Sequence, residues 1–324
     1  MDIIRAVILV VGGFLILWKC AEVLVGGAVG LAERLGVSPL VIGLTIVAMG
    51  TSAPEVAASI AAALRGAGDV AVGNVYGSNI ANLALIGGIS ALIRPIKVKK
   101  QTLLREMPVM LAAALVLWPL LHNLFLSRPK GIGLLGLFAV LILLTIYGAR
   151  REAKNRLSLL AGIGGEIGKE VKVVSRPTPI CLLLIAIGLV GLAAGAEMSV
   201  RGAVSIGERI GLSKAVIGLT IIAVGTSLPE LATCIAAAIK GHHDISIGNL
   251  VGSNIFNTLL VTGVAGTVRP FEVTKRLVGS DYWIMIGVSA AFIVITLAGR
   301  ATIGRIGGIL LLCCYAAYML YLFV

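Results

Sequence analysis

The chain has 324 residues, 58% of them hydrophobic and 13% charged, with a mean hydropathy of +1.05. Soluble domains carry roughly 25% charged residues, and half that supply cannot cover a water-facing surface of this size, which excludes a cytosolic enzyme. The formal net charge of +12 would suggest nucleic acid as partner of a soluble chain. Here Lys and Arg fall between apolar stretches, without interleaved aromatics, where they orient a membrane protein and meet anionic headgroups, so the expected partner is the lipid bilayer.

The first residues, Met1-Asp2-Ile3-Ile4-Arg5, lead into an apolar stretch longer than a signal peptide. Leu17, Trp18 and Lys19 precede Cys20 in place of a small-residue cleavage site, so this stretch reads as a first helix. Apolar stretches fall over 6–31, 38–64, 70–93, 106–126 and 131–149, and then over 179–206, 213–239, 245–268, 281–298 and 303–323. The expectation is an all-α polytopic membrane protein of ten transmembrane helices: a five-helix repeat over 1–149, a basic linker over 150–178 and a second five-helix repeat over 179–324. The positive-inside rule puts the linker and the loop Arg94 to Arg105 in the cytoplasm and both termini outside. The basic loop with Arg269, Lys275 and Arg276 then falls outside, against the rule. Cys20, Cys181, Cys234, Cys313 and Cys314 all sit in apolar stretches with no CxxC pair and read as buried free thiols.

Superposing the halves at an offset of 175 brings Ser38 onto Ser213, Gly50 onto Gly225, Glu55 onto Glu230, Asp69 onto Asp244, Ser78 onto Ser253, Asn82 onto Asn257 and Arg94-Pro95 onto Arg269-Pro270. Roughly half of the aligned residues from Glu22 to Val98 are identical, and polar residues and Gly are prominent among them, which shared hydrophobicity does not explain. Five spans per half is an odd number, so the second copy enters the membrane upside down. Inverted-topology repeats are the architecture of secondary transporters, with the site near the midplane where the repeats meet.

Four carboxylates are read inside the spans: Glu22, Glu55, Glu197 and Glu230. An ionised carboxylate at membrane depth is costly and points to a cationic partner. Glu55 and Glu230 each end the same sequence, Gly50-Thr51-Ser52-Ala53-Pro54-Glu55 and Gly225-Thr226-Ser227-Leu228-Pro229-Glu230. Proline has no N–H and crowds the carbonyl four residues back, so Pro54 and Pro229 release the carbonyls of Gly50 and Gly225 beside a carboxylate and two hydroxyls. Such oxygens suit hard cations. The partner helices carry Gly73-Asn74 to Asn82 and Gly248-Asn249 to Asn257, in which Ser78 and Asn82, and Ser253 and Asn257, share a helical face. Two such sites joined across the repeat axis make an all-oxygen cage of charge −2, matched to one Ca²⁺ or divided among several Na⁺.

With both motifs present twice and in order, the sequence resembles the cation/Ca²⁺ exchanger superfamily, and within it the prokaryotic Na⁺/Ca²⁺ exchangers. That resemblance implies an electrogenic antiporter of a prokaryotic plasma membrane, working by alternating access, with no cofactor and no obligate protein partner. It implies Ca²⁺ held by Glu55 and Glu230, assisted by the carbonyls of Thr51 and Thr226 and by Asn82 and Asn257. Na⁺ would be held by Ser52, Ser78 and the Ala48 carbonyl on one side, and by Ser227, Ser253 and the Ala223 carbonyl on the other, with both glutamates shared. Many relatives have Asp at the position of Asn257, and K⁺-dependent members use it, so Asn here implies K⁺-independent exchange. The linker has no acidic cluster, so no Ca²⁺-sensing domain is expected.

Two rivals use the same residues differently. H⁺/Ca²⁺ antiport would load protons on Glu55 and Glu230 but would leave four hydroxyls unused. A cation channel would need no repeats and would carry a ring-type filter. No GxSxG, HExxH or P-loop sequence is present, so hydrolase and ATP-driven pump chemistry is not expected. Glu22 and Glu197 read equally as entrance-lining residues or as partners of a nearby cation such as Arg201. Asp69 and Asp244 are expected to cap the helices they begin, and His242 and His243 to form an exposed loop pair.

Overall fold

The computed structural model describes residues 2–162, 177–211 and 223–323. The first half contains α1 (Ile3–Leu35), α2 (Pro39–Thr51), α3 (Ala53–Leu64), α4 (Gly68–Ile93), α5 (Lys100–Leu121) and α6 (Arg128–Gly162). The second contains α7 (Thr178–Arg209), α8 (Ala223–Thr226), α9 (Leu228–Ile239), α10 (His243–Val268), α11 (Leu277–Ala298) and α12 (Arg305–Phe323). Among the described residues, eight helices are long and apolar enough to cross a membrane, and α2 with α3, bent by 45°, passes the same test of length and composition as a pair. The expected stretch 213–239 is described from Ala223 onward, as α8 and α9, and Ser213 lies outside the described residues.

Burial separates an inner set of helices from an outer one. In α4 and α10, 72% of the span is buried, against 11–33% in the other long helices. Their composition allows this: serines, asparagines and glycines make them poor lipid-facing helices and good neighbours for other backbones. A Cβ on Gly248 of α10 would lie 2.7 Å from the Leu40 carbonyl of α2, so α2 and α10 touch through backbone. The long helices α1 and α7 pack on each other in the same way, and a Cβ on Gly13 would lie 2.7 Å from the Gly195 carbonyl. Outer helices expose Ile4, Ile8, Leu143, Leu144, Val190, Ile306 and Leu320, which is the surface a lipid solvent requires.

Two short antiparallel ladders join the halves. β1 (Ile96–Lys97) pairs with β4 (Thr302–Ile303), and β2 (Phe125–Leu126) with β3 (Phe271–Glu272). The fourth expected span therefore stops short of residue 126: α5 ends at Leu121, and a turn in which Asn123 accepts a 3.4 Å bond from the Phe125 N–H leads into β2. The fifth runs past its expected end at 149, because 150–162 is rich in good helix formers and has no proline or internal glycine. The rest of the basic linker, 163–176, lies outside the described residues.

Candidate ion-binding site

The two GTS-x-PE sequences fold as two interrupted helices. Ser52 ends α2 and begins α3 with φ −84° and ψ 9°, and Ser227 separates α8 from α9 with φ −92° and ψ 8°. Each proline stands in the first turn of its second half-helix, where a missing N–H costs nothing. Glu55 and Glu230 occupy those same first turns, at the positive ends of α3 and α9, and each is 1% exposed.

Each glutamate is held by the serine of the other half. The Ser52 hydroxyl donates to Glu230 Oε1 at 2.9 Å, and the Ser227 hydroxyl donates to Glu55 Oε1 at 3.3 Å. From α4, the Ser78 hydroxyl donates to the same Glu55 oxygen at 3.5 Å. The Thr51 hydroxyl donates to Asn249 Oδ1 at 3.1 Å and to the Ala48 carbonyl at 3.4 Å, and that carbonyl also accepts from the Ser52 N–H at 3.0 Å. The breaks, the carboxylates and the hydroxyls of both halves therefore converge on one buried place.

The two halves are not equivalent in detail. Ser253, the counterpart of Ser78, is fully buried with no hydrogen-bond partner for its hydroxyl among the described residues. Glu55 Oε2, Glu230 Oε2 and both amide atoms of Asn82 and Asn257 are likewise buried and unpartnered. Asn82 lies in the π-helical segment Ala81–Ile86, and Asn257 opens another over Asn257–Val261. π-bulges re-aim side chains and gather at functional sites. A group of buried carboxylate, hydroxyl and amide oxygens with lone pairs to spare, and no thiol or imidazole among them, is a donor set for a hard cation. Thr226 and Ala223 stand on α8 on the approach to Ser227.

A cavity of about 590 Å³ leads to this place. Asn74, Ser78, Thr226, Asp69, Thr274 and Arg276 are in its wall. Asp281 stands there as well, 7% exposed, accepting from Arg276 Nε at 3.4 Å. The sequence reading missed Asp281 because it lies at the edge of a span and its counterpart in the first half is Glu106 and not Asp. It also left out Asn74 and Asn249, although the doubled GN-x-x-GSN motif signals them. Asn74 Nδ2 donates to the Glu55 backbone carbonyl at 3.2 Å and to Ser59 at 3.0 Å, while Asn249 receives Thr51.

Other expectations resolve differently. Asp69 and Asp244 do not cap their helices: Ala67 and His242 hold the cap positions, with no side-chain cap bond. The reason is competition across the halves. Asp69 accepts the Thr274 N–H at 2.8 Å, and Asp244 pairs with Lys99. Glu197 pairs with Arg201, and Glu22 with Lys19 at 3.5 Å and Lys240 at 3.6 Å. His242 and His243 are half-buried, not exposed. Partial burial and the Lys240 ammonium push the His242 imidazole below its ordinary range. Among the described residues, no three His, Cys, Asp or Glu side chains cluster as a metal site. Cys181 and Cys234 are buried as expected, whereas Cys313 is exposed on α12.

Comparison with known proteins adds to this geometry. The family model described as "Sodium/calcium exchanger protein" matches residues 5–147 and 180–324. The inner membrane protein YrbG of Escherichia coli K12 is 38% identical, with 95% of this chain and 94% of YrbG covered. The sodium/calcium exchanger MaX1 of Methanosarcina acetivorans is 31% identical, with 96% of each chain covered. The solved structure of the sodium-calcium exchanger NCX_Mj soaked with 10 mM Na⁺ and zero Ca²⁺ superposes with a TM-score of 0.81 at 30% identity, covering 98% of each chain. With a doubled motif folded into one buried oxygen site and a family match over nearly the whole chain, this integral membrane protein belongs to the sodium/calcium exchanger family.

Proposed function

We propose that the chain exchanges Na⁺ for Ca²⁺ across a prokaryotic plasma membrane by alternating access, electrogenically and without K⁺. The reading rests above all on the crossed pair of bonds, Ser52 to Glu230 and Ser227 to Glu55, which makes one shared site from two half-sites. In this reading Glu55 and Glu230 bind Ca²⁺ with the Thr51 and Thr226 carbonyls and with Asn82 and Asn257. Na⁺ takes the hydroxyls of Ser52, Ser78, Ser227 and Ser253 and the carbonyls of Ala48 and Ala223, drawing on the same two glutamates. Ca²⁺ and Na⁺ then exclude each other by sharing ligands, and either ion relieves the repulsion of two carboxylates that an empty site would suffer.

The proposed architecture is ten spans in two inverted halves, with α8 and α9 belonging to the seventh span and both termini outside. In that orientation the cavity past Asp69, Thr274 and Arg276 opens outward, so the conformation described is the outward-facing one. The test is ⁴⁵Ca²⁺ uptake into proteoliposomes loaded with Na⁺, against vesicles loaded with K⁺ or given a pH gradient. Uptake driven by the Na⁺ gradient alone is expected. Uptake driven by the pH gradient would transfer the glutamates to proton coupling, and uptake without any counter-gradient would indicate a channel.

A further inference from the structure

The glutamate-bearing half-helices α3 and α9 begin at the ion site and end at Leu64 and Ile239, far from it in sequence and close to the other half of the chain. At the end of α9, Arg94 Nη1 donates to the Ile239 carbonyl at 2.7 Å and to the Ala238 carbonyl at 3.5 Å. At the end of α3, Arg269 Nη1 donates to the Leu64 carbonyl. These are the carbonyls that a helix C-terminus leaves without an intrahelical partner, and the guanidinium also meets the negative end of the helix dipole. The chain makes room for each arginine: Gly66 and Gly241 follow at φ +76° and +78°, and a Cβ would lie 3.6 Å from Arg269 Nη2 at the first and 3.3 Å from Arg94 Nη1 at the second. The contact occurs twice, on corresponding residues, and each time it crosses from one half to the other.

We propose that Arg94 and Arg269 are positioning residues that fix how far α9 and α3 reach into the ion site. Arg94 follows directly on α4, which carries Ser78 and Asn82, and grips α9, which carries Glu230; Arg269 follows α10, which carries Ser253 and Asn257, and grips α3, which carries Glu55. Each guanidinium is thus a strut between two elements that supply ligands. A half-helix free to slide by one residue would move its glutamate about 1.5 Å along its axis. Oxygen cages for Ca²⁺ close at about 2.3–2.6 Å from the ion and do not absorb a shift of that size without losing a ligand. Lysine keeps the charge but lacks the rigid, planar guanidinium that makes these carbonyl contacts.

This inference rests on the ion-site reading above, and the experiment separates the two. The full-length chain in nanodiscs, as wild type, Arg94→Gln, Arg269→Gln and the two Lys variants, is followed by hydrogen–deuterium exchange and by Ca²⁺ titration calorimetry. Arg94→Gln is expected to speed amide exchange at the end of 228–239 and to leave 53–64 unchanged, and Arg269→Gln to do the reverse. Each Gln variant is expected to weaken Ca²⁺ binding about tenfold, with partial recovery in Lys variants. Exchange that rises around the mutated residue and not in the opposite half-helix, or Ca²⁺ affinity within about twofold of wild type in every variant, would overturn the proposal. A Gln variant that does not fold leaves the Lys variant to decide, since it keeps the charge and removes the guanidinium from the helix-end carbonyls. A wild-type chain that binds no Ca²⁺ would count against the ion-site reading, while the crossed exchange pattern still decides the strut.

Discussion

Glu55 and Glu230 carry the charge of the site, and each has one oxygen tied to a serine of the other half and one oxygen without a protein partner. Replacing either by Gln leaves a cage of one charge, so Glu55→Gln and Glu230→Gln are expected to lose Ca²⁺ uptake by at least about 100-fold, since truncating one member of a buried charged group costs several kcal/mol. The same change removes a buried charge from the ion-free protein. Thermal unfolding in Ca²⁺- and Na⁺-free detergent should therefore show either variant to be at least as stable as wild type. Near-normal uptake in both would remove the two glutamates from the site. Asn257→Asp adds a third carboxylate where both amide atoms are buried and unpartnered. Exchange in that variant is expected to become more sensitive to pH or K⁺ than in wild type, measured as ⁴⁵Ca²⁺ flux across a pH series with and without K⁺. These residues were legible in the sequence because a carboxylate in an apolar span is conspicuous and because each appears twice. Asp281 was not, since a carboxylate at the edge of a span looks like an interfacial residue until α11 turns it into the cavity wall.

At the scale of the element, the decisive feature is the break in α2–α3 and α8–α9. Pro54 cannot donate to the Gly50 carbonyl, and the helix bends by 45° at Ser52. Pro54→Ala restores the missing donor and lets α2 run on into α3, drawing backbone oxygens back into helical bonds. Exchange is expected to fall about tenfold or more, while circular dichroism shows equal or greater helicity. Wild-type flux would mean that packing against α10, and not the proline, sets the bend. The break could be read from the sequence because proline acts locally. The π-segments over 43–47, 81–86, 257–261 and 277–281 could not. One inserted residue per turn leaves the apolar pattern almost intact, so the sequence carries little trace of it. The capping expectation for Asp69 and Asp244 failed because a local propensity lost to partners supplied by the opposite half.

The whole molecule is joined crosswise: β1 to β4, β2 to β3, Arg94 to α9, Arg269 to α3, and each site serine to the other half's glutamate. An offset of 175 made the doubling visible, but an alignment of halves cannot say which residue reaches across and which stays at home. The crossing gives the site two faces, of which one is open. Gly73 lines the cavity with open space where a Cβ would stand, and Lys97 lines a second cavity with His242 and His243. In a cysteine-free background, Gly73→Cys is expected to react with an impermeant thiol reagent from outside, and Lys97→Cys only from inside. Reaction of Gly73→Cys from the inside alone would reverse the orientation. The proposed exchange also moves charge. Three Na⁺ against one Ca²⁺ carries one net charge per cycle, and a membrane potential of about 100 mV does about 2.3 kcal/mol of work on that charge. The equilibrium Ca²⁺ ratio should then shift roughly 50-fold when valinomycin and a K⁺ gradient clamp proteoliposomes at that potential, at fixed Na⁺ gradient. Potential-independent Ca²⁺ accumulation would mean two Na⁺ per Ca²⁺, and at least one of the two sets of serine and carbonyl ligands would then not hold Na⁺.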